Sequence, residues 1–304
     1  MKIIDQLEQG IQNHTYTFSF EYYPPKDRNN WQAFYEKITR MSKLDPAFID
    51  VTWGTGDPTS FASIELAANI RRMTGIETMM HLTCTHRSRQ ELLDIVDNLL
   101  KTTDIRNIMA LRGNKPPHKA WQKHPDGFSC AAELVEALRS RFGDTLGISV
   151  AGYPEGHRED GLPPSPDFIR TAAYFKQIDD TRQKMMAGAD FIVTQLCFDM
   201  DQLCRYRDDC RARGIHAPIV PGLLPIHSHK AWHKIAAFSA SIPQSLAERY
   251  QNHRDDNDDD LARFAITLLD EQIERLHSEG FYAIHLYTLN HEKLLSRWKN
   301  LHQT

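Results

Sequence analysis

Apolar and polar residues follow two alternating periodicities along this chain. Short runs rich in Val, Ile, Phe and Tyr are typical of strands, and the segments between them repeat apolar residues every three or four positions, as amphipathic helices do. The strands are predicted at 17–21, 47–53, 76–83, 105–112, 146–153, 189–196, 217–224 and 281–288. The helices are predicted near 30–43, 60–73, 88–102, 129–142, 167–187, 200–213, 228–240, 258–279 and 290–301.

Strands that alternate with helices favour one class of fold. No change of composition marks a boundary, so residues 1–304 are predicted to form a single domain. Eight strands in a chain of this length favour an α/β fold of the (β/α)8 TIM barrel type over an open doubly wound sheet. Extra helices are expected between the seventh and eighth strands, and any active site should lie at the carboxyl ends of the strands.

An acidic run at 255–260 has two interpretations. It could be a metal site. The preferred interpretation is a solvated loop whose last residues cap the following helix, because carboxylates suit the positive end of a helix dipole.

Composition and charge exclude several classes of partner. A net charge of −4 gives no reason to expect nucleic acid. The chain has no apolar run of about eighteen residues and no signal peptide, so no membrane association is predicted. Five cysteines without the spacing of a disulfide framework fit free thiols in the cytoplasm.

Glu21 is the first candidate for chemistry. It ends the strand at 17–21 between Phe20, Tyr22 and Tyr23, and two prolines follow. A carboxyl group walled by aromatic rings is poorly solvated, which raises its pKa towards the range of a proton donor at neutral pH. The alternative is a structural glutamate whose carboxylate accepts hydrogen bonds from nearby backbone amides.

Most of the other predicted strands also end in polar residues. Convergence of such ends predicts a cavity for a large, mostly uncharged polar ligand. The ends are Thr52-Trp53-Gly54, His81-Leu82-Thr83-Cys84-Thr85-His86, Arg112-Gly113-Asn114, Tyr153-Pro154-Glu155-Gly156-His157, Thr194-Gln195, Pro221-Gly222-Leu223-Leu224-Pro225 and Tyr287-Thr288-Leu289-Asn290-His291.

Several familiar chemistries are absent from the sequence. No Gly-x-Gly-x-x-Gly opens a helix after the first strand, and neither a Walker lysine loop nor a Gly-x-Ser-x-Gly elbow occurs. His81, Cys84 and His86 are of metal-ligand type but match no closed zinc spacing, so no metal is predicted.

Seven motifs, in order, resemble those of the methylenetetrahydrofolate reductases over about residues 17–300. They are closer to the catalytic domain of the eukaryotic enzymes than to the shorter bacterial enzymes, without the regulatory domain that follows it in eukaryotes. The motifs are Phe20-Glu21-Tyr22-Tyr23-Pro24-Pro25, Phe48-Ile49-Asp50-Val51-Thr52-Trp53-Gly54, His81-Leu82-Thr83-Cys84-Thr85, Ala110-Leu111-Arg112-Gly113, Val150-Ala151-Gly152-Tyr153-Pro154-Glu155-Gly156-His157, Ala187-Gly188-Ala189-Asp190-Phe191-Ile192-Val193-Thr194-Gln195 and Tyr287-Thr288-Leu289-Asn290.

The resemblance implies a (β/α)8 barrel that binds FAD and uses NADH or NADPH to reduce 5,10-methylenetetrahydrofolate to 5-methyltetrahydrofolate. A homo-oligomer is also expected, of a size that the sequence does not give. By resemblance, Glu21 is the acid that opens the folate imidazolidine ring, and Gln195 contacts the folate. The residues that the resemblance assigns to FAD are Thr52, His81, Arg112, Gly113, Tyr153, His157 and Lys184.

Five positions depart from the family pattern. The Arg-Gly-Asp motif, whose carboxylate lies near the flavin and the pterin, ends here in Asn114, and a Tyr-Ala pair that contacts FAD is Cys130-Ala131. An Asp that faces the cofactor aligns with Gln177. At the folate surface, an aromatic residue is replaced by His229 and an arginine by His291.

Three functions of different classes are therefore considered. The first is a working flavin-dependent reductase, which the presence of Glu21 and Gln195 favours. The second is a flavin-poor relative that binds folate as an accessory or regulatory subunit, or that serves another folate-linked step. The third is a metal hydrolase, which requires His81, Cys84 and His86 to converge. The sequence does not distinguish NADH from NADPH.

Overall fold

The computed structural model describes residues 1–53, 57–114, 121–157, 168–238, 242–292 and 295. Eight parallel strands form a closed barrel in which each strand pairs with the next and the last pairs with the first. This confirms the predicted (β/α)8 barrel. The strands are β1 (Thr17–Tyr22), β2 (Phe48–Val51), β3 (Glu77–Thr83), β4 (Asn107–Leu111), β5 (Gly147–Gly152), β6 (Phe191–Leu196), β7 (Ile219–Leu223) and β8 (Ala283–Tyr287).

Helices precede the barrel and connect its strands. They are α1 (Ile3–Asn13), α2 (Trp31–Ser42), α3 (Asp57–Thr74), α4 (Arg89–Thr103), α5 (Ala131–Phe142), α6 (Ala172–Met186), α7 (Met200–Ala212), α8 (His229–Phe238), α9 (Gln244–Asn252) and α10 (Asp258–Ser278). As predicted, extra helices fill the connection between β7 and β8. In the described ranges, no helix has the length and apolar content needed to cross a membrane.

Alternate residues of each strand face opposite sides of the barrel wall, as the strand period requires. Phe20 and Tyr22 of β1 point outward and are fully buried among the helices. The Tyr22 ring packs edge-on against Phe34 of α2, with centroids 5.7 Å apart. Ser19 and Glu21, on the other face, point into the barrel.

Helix α1 closes the amino-terminal end of the barrel. Ile3, Ile4 and Leu7 share one buried apolar cluster with inward strand residues such as Met79. The backbone N–H of Ile3 also donates to Asn107 Oδ1 at 2.8 Å. Apolar side chains thus fill much of the bottom of the barrel, where Glu77 and Asn107 are also buried, and Glu21 lies above them, towards the carboxyl ends.

The acidic run at 255–260 begins α10, as the preferred interpretation predicted. Asn257 is the N-cap residue, and its side chain accepts the backbone N–H groups of Asp259 and Asp260. The acidic side chains of the first turn lie at the positive end of the helix dipole.

Two predicted helices differ from the structure. Helix α6 begins at Ala172 rather than near 167, with Thr171 as its N-cap residue. Residues 290–292 are not helical although a helix was predicted from 290, and Leu295 is helical. The rest of that predicted helix lies outside the described residues.

Candidate active site

Glu21 lies inside the barrel at the end of β1. Its register partners are Asp50 on β2 and Tyr287 on β8. Its side chain is 19% exposed. The expectation that Phe20 and Tyr22 wall this carboxyl group is wrong, because residues one position away in a strand point to the opposite face.

The surroundings of Glu21 favour its neutral form. Burial raises the pKa of Glu21 to about 7, with the nearby His81 acting to lower this pKa and Asp50 acting to raise it. His81 Nε2 lies 3.9 Å from Glu21 Oε2. Within the described chain no backbone amide donates to this carboxyl group, which argues against the structural alternative. A carboxyl group with this pKa is partly protonated at neutral pH and can donate a proton.

A second cluster is formed by Tyr153 and His157, which follow β5, and by Lys184 in the last turn of α6. The rings of Tyr153 and His157 stack with centroids 4.7 Å apart and an interplanar angle of 24°. Lys184 Nζ lies 5.8 Å from the centre of the Tyr153 ring and donates to the Ala151 carbonyl at 2.9 Å. Burial raises the pKa of Tyr153, and Arg112 is close enough to oppose that shift. Four of the residues that the resemblance assigns to FAD therefore lie near one another.

Lys184 is a cation in a poorly solvated place. Desolvation lowers its pKa to about 8, although Asp180 and Cys130 act to raise it. No carboxylate in the described part of the chain forms a salt bridge with Lys184. A buried ammonium group without a carboxylate partner suits an anionic ligand such as a phosphate.

The loops after β3 and β4 support each other at Gly113. This glycine has a φ of +88°, and an added Cβ would lie 2.7 Å from the Thr85 side chain. Cys84 Sγ donates to the Leu111 carbonyl at 3.2 Å and to the Cys130 carbonyl at 3.4 Å. Any larger residue at 113 would displace the loop.

The structure does not support the metal-hydrolase alternative. His81 contacts Asp50, whereas the Cys84 thiol is engaged with backbone carbonyls. Among the described residues, which include His81, Cys84 and His86, no three His, Cys, Asp or Glu side chains form a metal-binding group.

Gln177 faces this second cluster, at one of the positions that depart from the family pattern. Its Oε1 accepts the backbone N–H of His157 at 2.8 Å, and its Nε2 donates to the His157 carbonyl. Gln177 therefore fixes the backbone of His157 with both ends of its amide.

Gln195 is exposed and follows an irregularity in β6. The β6–β7 register shifts between Val193 and Leu196. At this shift the N–H of Gly222 donates to Thr194 Oγ1 at 2.9 Å, and the Tyr287 hydroxyl donates to the Thr194 carbonyl at 2.8 Å. These bonds determine where Gln195 leaves the barrel wall.

The two histidines predicted at the folate surface lie in different surroundings. His229 begins α8, and its Nε2 lies 2.8 Å from the Asp256 carbonyl oxygen. The His291 ring packs edge-on against His227, with centroids 4.8 Å apart. Burial, His227 and Lys37 all lower the pKa of His291, so this ring is neutral at neutral pH.

The remaining predicted residues lie at the ends of elements. Thr52 follows β2, and its N–H donates to the Tyr22 carbonyl at 3.0 Å. Asn114 is exposed after β4, and Cys130 and Ala131 are the N-cap and first residues of α5.

Sequence reasoning missed Asp50 and His285 as site residues. Both are fully buried inside the barrel. They occupy inward positions of β2 and β8 whose strand neighbours are apolar. A polar residue at a position that should face an apolar core was the available signal.

The fold and the site define a (β/α)8 barrel with a candidate acid and a candidate anion-binding cluster at the carboxyl ends of its strands. The chain belongs to the methylenetetrahydrofolate reductase family, whose model matches residues 6–299.

Named relatives agree with this family. The chain is 36% identical over 300 residues to methylenetetrahydrofolate reductase (NADH) 1 of Arabidopsis thaliana, covering 96% of this chain and 49% of that protein. It is 37% identical over 301 residues to methylenetetrahydrofolate reductase 2 of Saccharomyces cerevisiae, with 96% and 48% covered. A probable NADPH enzyme of Caenorhabditis elegans is 31% identical over 309 residues, with 97% and 44% covered. The chain thus spans about half the length of these relatives.

Solved structures share the fold. A Clostridium thermocellum protein that binds two copies of 5-methyl-5,6,7,8-tetrahydrofolic acid superposes with a TM-score of 0.60 at 16% identity, covering 97% of this chain and 98% of that one. A 2,3-dimethylmalate lyase superposes with a TM-score of 0.52 at 10% identity, covering 100% and 83%. At these identities the similarity concerns the fold alone.

Proposed function

We propose that this chain reduces 5,10-methylenetetrahydrofolate to 5-methyltetrahydrofolate with a reduced nicotinamide and bound FAD, and that Glu21 is the general acid. Membership of the family supports the reaction class. The observation that carries the proposal is the buried carboxyl group of Glu21. Burial raises the pKa of this group to about 7.

Glu21 serves the folate part of the reaction. The imidazolidine ring of methylenetetrahydrofolate opens when a ring nitrogen takes up a proton and its bond to the methylene carbon breaks. The carbon is then an electrophilic iminium. Glu21 supplies that proton and becomes a carboxylate, and general acid catalysis of this kind is worth about 10²–10⁴-fold.

The second cluster fits a flavin dinucleotide. The ammonium group of Lys184 lacks a carboxylate partner in the described chain and suits a phosphate, and Gly113 leaves the loop after β4 free of a side chain at its turn. When bound, FAD would accept a hydride from the nicotinamide and pass it to the folate. The residues that would hold it are Thr52, His81, Arg112, Gly113, Asn114, Cys130, Ala131, Tyr153, His157 and Lys184.

The folate would meet residues at the ends of β6, β7 and β8. Gln195 presents an exposed amide at the end of β6. A neutral His291 can accept or donate one hydrogen bond, whereas an arginine would give a fixed positive charge. His229 offers an aromatic ring at the start of α8. We assign these three residues to the substrate surface.

The purified chain tests this proposal directly. It should be yellow or should take up FAD on titration, and it should then oxidise NADH or NADPH in repeated turnovers only when methylenetetrahydrofolate is added. Both nicotinamides are tested because named relatives use each of them. A colourless protein that ignores FAD would overturn the proposal, and folate binding by such a protein would indicate an accessory subunit.

A further inference from the structure

One imidazole nitrogen lies between two carboxyl groups inside the barrel. His81 Nε2 is 3.3 Å from Asp50 Oδ2 and 3.9 Å from Glu21 Oε2. The three residues belong to the neighbouring strands β1, β2 and β3. A single Nε2–H cannot donate well to both oxygens, so Asp50 and Glu21 compete for it.

Asp50 is unfavourable for the stability of the fold at this position. Its side chain is fully buried, and Oδ1 has no hydrogen-bond partner in the described chain. No lysine or arginine among the described residues pairs with it. His285 Nε2 lies 3.8 Å from Asp50 Oδ2, while His285 Nδ1 and Ser19 Oγ are 2.8 Å apart. A buried carboxylate with so few donors lowers stability, which indicates a role other than stabilising the fold.

We propose that Asp50 is a positioning residue that holds the His81 Nε2–H away from Glu21 until Glu21 has given up its proton. This inference rests on the proposed role of Glu21. In the resting state the His81 N–H donates to Asp50, and Glu21 keeps its own proton. When that proton passes to the folate nitrogen, the His81 N–H turns to the new Glu21 carboxylate. The hydrogen bond changes acceptor, and no proton leaves His81.

The charges around His81 agree with this assignment. Desolvation acts to lower the pKa of His81, but the hydrogen bond from His81 to Asp50 and the charges of Asp50 and Glu21 outweigh it and raise the pKa. Burial lowers the pKa of His285, so this ring is neutral beside Asp50.

The remaining titratable groups near Glu21 are phenols. Burial raises the pKa of Tyr23 and of Tyr287, and the Glu21 charge adds to both shifts. Both phenols are therefore neutral at neutral pH. In the described chain, Asp50 and His81 are thus the groups whose charges act on the pKa of Glu21.

The first test measures the proton on Glu21 without any turnover. The full chain, labelled with ¹³C at its glutamate carboxyl groups, is titrated by NMR, and Glu21 is identified as the signal that Glu21→Gln removes. The wild type should titrate at about 7. Asp50→Asn should move the midpoint down by about one unit, because a neighbouring negative charge is lost. The protonated fraction at pH 8 then falls about tenfold.

A matched variant controls for the loss of a buried carboxylate. Glu77 is buried at the other end of β3, where it pairs with Arg71 at 3.2 Å. Glu77→Gln should leave the Glu21 midpoint unchanged. Asp50→Ser is a second, smaller variant, and it should lower the midpoint as Asp50→Asn does.

The second readout is the pH profile of folate reduction by the FAD-loaded protein. Its high-pH limb should shift down in Asp50→Asn by the same amount as the NMR midpoint. An unchanged or raised midpoint would overturn the proposal, and so would failure of both Asp50 variants to fold. If Asp50→Asn lowered the Glu21 midpoint but the wild type did not reduce folate, the proposed function would be refuted, while the effect of Asp50 on the Glu21 proton would stand.

Discussion

At the scale of single residues, the site depends on where charge is placed and how poorly it is solvated. The raised pKa of Glu21 and the lowered pKa of Lys184 have the same cause, which is burial at the end of the barrel. Burial keeps an acid protonated in one case and weakens a cation in the other. Glu21 and Lys184 therefore both change protonation state between about pH 7 and pH 8. The first change affects proton donation, and the second affects the positive charge offered to the cofactor.

Lys184 predicts a pH dependence of cofactor binding. Its ammonium group is charged below its pKa of about 8, so FAD affinity should be constant below that pH and fall as pH rises above it. Lys184→Met should weaken binding by about 10–100-fold at pH 7 and remove the fall, since a hydrogen bond to a charged group is worth about 1.5–3 kcal/mol. Fluorescence titration with FAD from pH 6.5 to 9.5 measures this.

The control for Lys184 lies on the same helix. Lys176 is exposed and pairs with Asp180, so Lys176→Met removes an equal charge away from the cluster. This variant should keep the wild-type affinity and pH dependence. An equal effect of both substitutions would mean that Lys184 does not contact the cofactor.

Asn114 predicts a change of flavin potential. A carboxylate beside the flavin would oppose the negative charge that two-electron reduction leaves, whereas an amide does not. Unit charges about 5 Å apart at an effective dielectric constant of about 20 interact by roughly 3 kcal/mol, and this sets an upper bound of about 70 mV. Asn114→Asp should lower the potential by tens of millivolts and speed folate reduction, because the carboxylate also stabilises the cationic iminium.

Redox titration and single-turnover kinetics measure these two effects. Asn98→Asp, at an exposed position of α4, is the matched control and should change neither. A potential that does not drop in Asn114→Asp, or slower folate reduction, would show that Asn114 is not beside the flavin.

How far the sequence predicts the site follows from particular residues. Motif order was enough to select Glu21, His81 and Tyr153, whereas Lys184 lies outside the seven motifs and was assigned by the wider resemblance. Their neighbours depend on barrel closure, which brings β8 beside β1 and so His285 close to Asp50. No local pattern contains that contact. The orientation of Phe20, in contrast, was readable from the strand period.

At the scale of elements, the irregularity in β6 positions Gln195, the proposed substrate residue. An added Cβ at Gly222 would lie 2.4 Å from the Thr194 carbonyl oxygen and 2.5 Å from the Tyr287 ring. Only glycine lets β7 and the Tyr287 ring approach β6 so closely. The register shift around Gln195 depends on this contact.

Gly222→Ala should therefore affect both stability and substrate binding. Overpacking costs about 1–3 kcal/mol, and displacement of Thr194 should raise the KM for folate several-fold while FAD affinity stays constant. Denaturant unfolding and steady-state kinetics measure the two effects. Gly75→Ala, where the added methyl meets nothing within 4 Å, is the control and should lower stability without changing KM. If Gly222→Ala kept the wild-type KM, the irregularity in β6 would have no effect on folate binding.

The element that sequence analysis missed is α1. Its buried residues, Ile3, Ile4, Leu7 and Gly10, have helical spacing. The pattern was present, but a helix before the first strand has no place in a strictly alternating scheme. Helix α1 covers the amino-terminal end of the barrel, and that end forms only when the strands close.

At the scale of the whole molecule, the two ends of the barrel differ: one end stabilises the fold and the other holds the candidate site. One end is packed with α1 and apolar side chains, and the other holds the candidate acid and the second cluster of Tyr153, His157 and Lys184. The matched relatives are about twice as long as this chain.

The most direct test of that chemistry separates the two half-reactions. Stopped-flow absorbance follows flavin reduction by the nicotinamide and flavin reoxidation by methylenetetrahydrofolate, in the wild type and in Glu21→Gln, with exposed Glu65→Gln as the control. In the wild type, reoxidation should slow as pH rises through about 7, because the acid must be protonated. Glu21→Gln should keep the nicotinamide half-reaction and lose about 10²–10⁴-fold in the folate half-reaction. Equal losses in both half-reactions would contradict the assignment of Glu21 as the general acid.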